Sequence, residues 1–299
     1  MIGAILTSGL AAPTVTAVPR PHGFWYGVYT RLTRDPVTIG CAAILLLIII
    51  VAIFAPYLAP FDPTKQSVVM RLKPPGTGAH WLGTDELGRD LLSRLIYGGR
   101  YSLFMGFLPV FVAIMIGGTL GIIAGYAGGW LNSVIMRVID VFYAFPSVLL
   151  AVAISGALGG GTVNGLLSLC LIFIPPIARV AESVTMQIRT HDFVEAARVT
   201  GASFHQILWG QVLANVTGPI LVYASSLISI SIIIASGLSF LGLGVTPPNA
   251  EWGLMLSALR QSVYVAPVNA ILPGVMIFLT SICFNLMSDG IRTAMNVKL

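Results

Sequence analysis

The chain has 299 residues, of which 56% are hydrophobic and only 9% charged, with a formal net charge of +5 and a mean hydropathy of +0.91. These proportions exclude an ordinary soluble domain and indicate an integral membrane protein. The positive balance does not indicate nucleic acid, because the basic residues are dispersed at the ends of apolar runs and form no patch.

Residues 1–35 read as a tail: MIGAILTSGLAAPTVTA lacks a basic start and is interrupted by Pro13 and Thr14, which argues against a cleaved signal peptide. Residues 36–299 read as one transmembrane domain. Six apolar runs, at about 38–59, 103–127, 139–158, 163–180, 217–245 and 269–289, approach the roughly 20 residues that a helix needs to cross a hydrocarbon core. Lipid offers no partner to backbone N–H and C=O groups, so continuous runs of this kind fold as helices and the fold class is all-α. Cys41, Cys170 and Cys283 lie inside the runs with no disulfide or zinc spacing, and are assigned to packing.

The first run leads into a loop, 60–102, which closes with HWLGTDELGRDLLSRLIYGGRYSL. Thr84 is placed to cap a helix whose Leu87, Leu91, Leu92, Leu95 and Ile96 form one apolar stripe. Asp85 to Arg89 and Asp90 to Arg94 stand four apart, the favourable order for helix ion pairs, so an amphipathic helix on the outer membrane face is predicted. A metal site from His80, Asp85, Glu86 and Asp90 is disfavoured, since adjacent Asp85 and Glu86 point apart on a helix.

The remaining five runs form a core, about 103–289. The first of them carries Gly117, Gly121, Gly125 and Gly129, a four-residue period that bares one helix face for close approach of another helix. Pro109, Pro146, Pro175, Pro176, Pro219 and Pro273 predict kinks.

Between the fourth and fifth runs, 189–210 contains the charged stretch DFVEAARVTGASFHQI. Asp192 with Glu195 has capping-box spacing, Gly201 suits a left-handed C-terminal position, and Ser203 with Gln206 opens a second helix with Phe204, Ile207 and Leu208 on its apolar face. The expected product is an elbow of two short amphipathic helices. On residues alone it is an interfacial segment resting on lipid. In the fifth run, Ser225, Ser229 and Ser236 share a helix face, which suits either a polar translocation path or small-residue packing with back-bonding to the helix.

With the N-terminus inside, nine Lys and Arg fall on the inner side and seven on the outer, six of those seven in the one long loop. Discounting that loop gives N-in and C-in, with the elbow in the cytoplasm.

Three stretches carry a family resemblance. Glu195, Ala196, Ala197, Gly201 and Ile207 match the E-A-A, three residues, G signature of permease subunits of bacterial ABC importers; Gly83, Thr84, Asp85, Gly88, Arg89 and Asp90, within G-T-D-x-x-G-R-D-x-x-S-R-x-x-Y-G-x-R-x-S-L, resemble the C-type permease of dipeptide, oligopeptide and nickel importers; and FLGLGVTPPNAEWGLMLSALR resembles the same subfamily. The family's Leu-Pro after the elbow reads Leu213-Ala214 here. The resemblance implies a type I importer permease in the bacterial inner membrane, one half of a heterodimeric pore with a second homologous permease. It implies two cytoplasmic P-loop ATPases seated on the elbow, with Ser203 in the docking segment, and an extracytoplasmic binding protein. ATP and Mg would be bound by those partners and no cofactor by this chain, which contacts membrane lipid and no nucleic acid. Peptide is the implied substrate class.

The chain has no G-x-x-x-x-G-K-[ST] loop, so it is not expected to hydrolyse ATP. The alternative function is an ion-coupled secondary transporter of small polar solutes; Asp140, Arg179, Glu182 and Asp289 sit near predicted inner ends and not at the midplane, which argues against it. A membrane enzyme finds no support, since His22, His80, His191 and His205 lie outside the runs with no ligand or triad spacing.

Overall fold

The computed structural model describes residues 24–295; the tail reading for 1–23, with His22 and Arg20, and Lys298 lie outside the described residues. Helix α1 (Phe24–Leu32) leads to α2 (Pro36–Ile53), which starts at Asp35, whose carboxylate accepts from Val37 N (3.1 Å), with proline at the first helical position. A short α3 (Ala55–Leu58) follows, so the first span is shorter than the apolar run 38–59.

Helix α4 (Leu91–Ala113) passes through a π-helical turn (Ile114–Gly118) into α5 (Thr119–Ala127), and the three make one continuous 37-residue rod. Pro109 lacks an N–H, which frees the carbonyl of Met105 from its helical partner. Ser231 fills that vacancy, its Oγ donating to Met105 O at 3.0 Å. A second pair, α6 (Gly129–Tyr143) and α7 (Ser147–Leu158), bends by 83° at Pro146. Then come α8 (Thr162–Arg189), the elbow helices α9 (Asp192–Val199) and α10 (Phe204–Ile207), a second π turn (Leu208–Val212), α11 (Leu213–Phe240), α12 (Trp252–Leu259) and α13 (Pro267–Met295).

The described residues hold no strand. Five helical rods are long and apolar enough to cross a membrane, and the bent pair α6–α7 makes a sixth crossing if its halves count as one. Two large apolar cores hold the bundle, and a small third cluster of Ala124, Met136, Ile139 and Ala178 seats α6. One joins α4, α5, α7, α8, the elbow and α11 around Leu169, Ile177 and Val216; the other joins α2, α4, α12 and α13 around Leu45, Leu91 and Trp252. Cys41 and Cys283 are buried in the second core and Cys170 is half-buried, all three as free thiols. Arg31 Nη1 donates to Ala294 O (3.2 Å), so the start and finish of the described chain meet at one end of the bundle. That is also the elbow's end, because Met295 lies against Gly218, near the start of α11.

The glycine period packs within the chain. A methyl at Gly117, Gly121 or Gly125 would lie 2.5, 2.3 or 2.6 Å from the carbonyl oxygens of Ile174, Ala178 and Glu182, which themselves step by four along α8. Two matched four-residue ladders let α5 and α8 meet backbone to backbone. Gly129 does not join them: it has open space around it and a φ of +57°, and it opens α6 just past the Gly128 turn.

The helix predicted from Thr84 does not form. Residues 84–90 fold as a compact knot and α4 begins only at Leu91, capped by Asp90, whose Oδ2 accepts from Ser93 N (2.8 Å). Gly83 and Gly88 carry left-handed φ values of +76° and +74°, and a side chain at either would strike the carbonyl of Lys73 or Ser67. Asp85, 2% exposed, accepts from Leu87 N, Arg89 N and Arg89 Nε, and Arg94 Nε stands 3.2 Å away. The expected Asp90–Arg94 pair is replaced: Asp85 holds both arginines and Asp90 binds His80 Nδ1 at 2.8 Å. Short acidic side chains that can bond nearby backbone donors outcompete the helix here. Asp85 and Glu86 are therefore not helical neighbours.

Candidate functional site

The elbow is built against the first core. His191, not Asp192, occupies the cap position of α9 and makes no side-chain capping bond; Asp192 and Glu195 lie in the first turn, where their charge favours the positive end of the helix. Gly201 ends α9 with a φ of +82° and open space where a Cβ would stand, so glycine is required there for its backbone and not for room. Ser203 forms the predicted reciprocal cap with Gln206: Gln206 N donates to Ser203 Oγ (3.4 Å) and Ser203 N to Gln206 Oε1 (2.8 Å).

Within the signature, residues divide by face. Val194 and Ile207 are buried in the core, and Ala197 is half-buried against it. Glu195, Ala196, Gly201 and Ser203 are exposed, and Val199 is 88% exposed beside them. An outward face of a small residue, an acid and a bare valine is thus backed by a rigid inner face.

Sequence reasoning missed how this elbow grips the bundle. Tyr126, at the end of α5 and 6% exposed, lies 4.8 Å from Phe204 of α10, while the Arg198 guanidinium of α9 sits 5.6 Å above its ring. Arg189, closing α8, donates from Nη1 to Gly125 O (3.4 Å) and Tyr126 O (3.2 Å), the last carbonyls of α5. Both elbow helices and α8 therefore converge on one tyrosine. No sequence periodicity links position 126 to 198 or 204; the only local signal was an aromatic residue immediately after the last ladder glycine.

The serines of α11 all have partners inside the chain. Ser225 Oγ contacts Val222 O and Ser288 Oγ (2.8 Å), Ser229 donates to Ser226 O (2.8 Å), and Ser236 reaches Glu251 Oε1 at 3.5 Å. Of the three, Ser229 also borders a cavity of about 470 Å³ together with Ser281 and Asn285. Glu251, inside the second family-like stretch and 1% exposed, is fully bonded: it accepts from Gly253 N (2.9 Å), Leu254 N (2.8 Å) and Ser102 Oγ (3.0 Å).

Residues 117–299 match the family model of the binding-protein-dependent transport system inner membrane component. The chain belongs to this family. It is an all-helical, multi-pass permease of the bacterial inner membrane, a transport subunit of a binding-protein-dependent system and not an enzyme. Residues 23–75 of the permease also match the N-terminal transmembrane domain of oligopeptide transport permease C. The glutathione transport system permease protein GsiD of Pectobacterium atrosepticum is 42% identical to it, and that of Escherichia coli O6:K15:H31 40%, each over 92% of this chain and 91% of the relative. Among solved structures, the permease resembles a chain of the inward-facing MetNI methionine ABC transporter (TM-score 0.56, 18% identity, 68% of this chain and 97% of that one). It also resembles a chain of an amino acid ABC transporter crystallised with histidines (TM-score 0.50, 17% identity, 66% and 92%). At those identities the likeness establishes the fold.

Proposed function

We propose that this permease is one half of the pore of an ATP-driven peptide importer, paired with a second homologous permease. Two cytoplasmic ATPases bind ATP and Mg and drive it, and an extracytoplasmic binding protein delivers the substrate. The observation that carries this reading is the elbow: Glu195, Ala196 and Val199 face outward for an ATPase groove, while Val194 and Ile207 anchor the same helices in the bundle. The GsiD relatives and the match to oligopeptide permease C support peptide as the substrate class. The sequence carries no phosphate-binding loop, which supports assigning hydrolysis to partner subunits.

The elbow, the end of α1 and the end of α13 share one end of the bundle, which with the distribution of basic residues supports a cytoplasmic location for all three. Motion delivered to α9 and α10 reaches Tyr126 through Phe204 and Arg198, and the glycine ladder passes it from α5 to α8 as one body. Ser229, with Asn285, offers hydrogen-bonding groups toward the translocation path.

Mild-detergent extraction of the tagged chain, followed by mass spectrometry of what accompanies it, tests the assignment. Recovery of a second permease together with P-loop ATPases is expected. Recovery of the chain alone, active in a flux assay without ATP, would overturn it in favour of ion-coupled transport.

A further inference from the structure

At the bundle end opposite the elbow, a cavity of about 480 Å³ is bordered by Thr64, Tyr97, Arg100, Tyr101, Phe104 and Asn249. Arg89 and Arg94 are held by Asp85, but Arg100, which is exposed, has no side-chain partner among the described residues. Tyr101 donates to Asn249 Oδ1 at 3.3 Å, fixing one wall. Phe104, Phe107 and Phe111 follow Arg100 at four, seven and eleven residues, so at 100° per residue they share its face within about 60° of arc. They are 49, 39 and 58% exposed, with Phe107 set edge-on to Phe284 of α13 at 5.2 Å.

We propose that this face binds an anionic phospholipid, its phosphate on Arg100 between Tyr97 and Tyr101 and one acyl chain along Phe104, Phe107 and Phe111. A guanidinium presents parallel N–H donors that fit a phosphate, and it leaves water at a membrane boundary only where an anion meets it. Tyrosines prefer the headgroup level, with ring in hydrocarbon and hydroxyl in water. From Arg100 to Phe111 the helix rises ~16 Å, close to one leaflet of a ~30 Å hydrocarbon core. A peptide carboxylate would satisfy the arginine but has no use for a phenylalanine track of that length.

The test uses the full chain purified in mild detergent with its accompanying subunits, exchanged into micelles doped with phosphatidylglycerol or with phosphatidylcholine of the same acyl chains. Native mass spectrometry then counts retained lipid. Wild type is expected to retain phosphatidylglycerol preferentially, and Arg100→Gln to lose that preference by roughly tenfold. Arg100→Lys should keep part of it, and Arg137→Gln, which removes an exposed arginine elsewhere, should keep all of it. Equal retention of the two lipids, or equal losses in both Gln variants, would overturn the site. Displacement of the lipid by excess inorganic phosphate would mark a free-anion site instead, and quantitative cross-linking of Phe104→Cys to a neighbouring subunit would show the face covered by protein; either result overturns the proposal.

Discussion

Replacing Gly121 by alanine tests the seam between α5 and α8 directly. The added methyl would stand 2.3 Å from Ala178 O, 2.7 Å from Ala181 Cβ and 3.0 Å from Glu182 N, and two of those three atoms are backbone. An ordinary contact begins near 3.4 Å, so the helices must part by about 1 Å. Overpacking of this kind destabilises by about 1–3 kcal/mol, against which alanine regains up to ~1 kcal/mol of helix propensity over glycine. The net loss is about 1–2 kcal/mol, or roughly 2–3 °C in Tm for a chain of this size. Gly118 is the control: three residues away on the same rod, it has only an Ile114 methyl at 4.0 Å. Gly118→Ala should therefore unfold at or above the wild-type temperature. Thermal unfolding of the purified chain, followed by loss of its monodisperse peak, measures both. A Gly121→Ala variant as stable as wild type, or a Gly118→Ala variant equally impaired, would refute the ladder as the basis of the contact.

Tyr126→Ala should leave the subunits assembled and ATP hydrolysis running while lowering transport per ATP roughly fivefold or more, and Tyr126→Phe should behave as wild type, because the ring and not the hydroxyl meets Phe204 and Arg198. Gly201→Asp forces a side chain into a φ of +82°, a strain of about 1–2 kcal/mol, and should reduce recovery of ATPase with the chain more than it reduces the amount of folded chain. Asp85→Asn leaves Arg94 buried without a counter-charge and Arg89 with Glu86 alone, at 2.8 Å; a loss of about 3–5 kcal/mol is expected, read as disappearance of folded protein after size exclusion. Burial, then the neighbouring Asp85 charge, raise the Glu86 carboxyl above its ordinary 4.5. Its ionised form therefore weighs against the fold at neutral pH, and the penalty fades as pH falls through the raised value and is gone below 4.5. Glu86→Gln should accordingly be more stable than wild type near neutrality and lose that advantage on acidification, as followed by thermal unfolding across pH.

The parts of the fold read correctly from sequence are those set by local physics. Apolar run length located the five rods long enough to cross a membrane and the bent pair α6–α7, and Gly201 and the Ser203–Gln206 cap depend on residues within three or four positions of each other. Where the reading failed, distant atoms decided. Thr84 to Asp90 has helical charge spacing, but its aspartates serve arginines, a histidine and backbone N–H groups in a knot that the spacing does not reveal. The glycine period announced a close neighbour, yet only the matching period of Ile174, Ala178 and Glu182 on α8 identifies it, and that lies in ordinary side chains whose carbonyls do the packing. Tyr126 was invisible because its importance comes from two elements more than seventy residues away in the chain.

Two rods of 37 residues each, 91–127 and 204–240, run the depth of the molecule, and each is ~55 Å long, more than the ~40–45 Å of a bilayer with its headgroups. Rods longer than the bilayer is thick can work as levers with their ends outside it. A tilt of only 10° about the middle of such a rod carries each end sideways by about 5 Å in opposite directions. A small sideways push at the elbow thus becomes an opposite displacement of similar size at the far mouth, so that one side of the membrane can narrow as the other widens without any helix having to unfold.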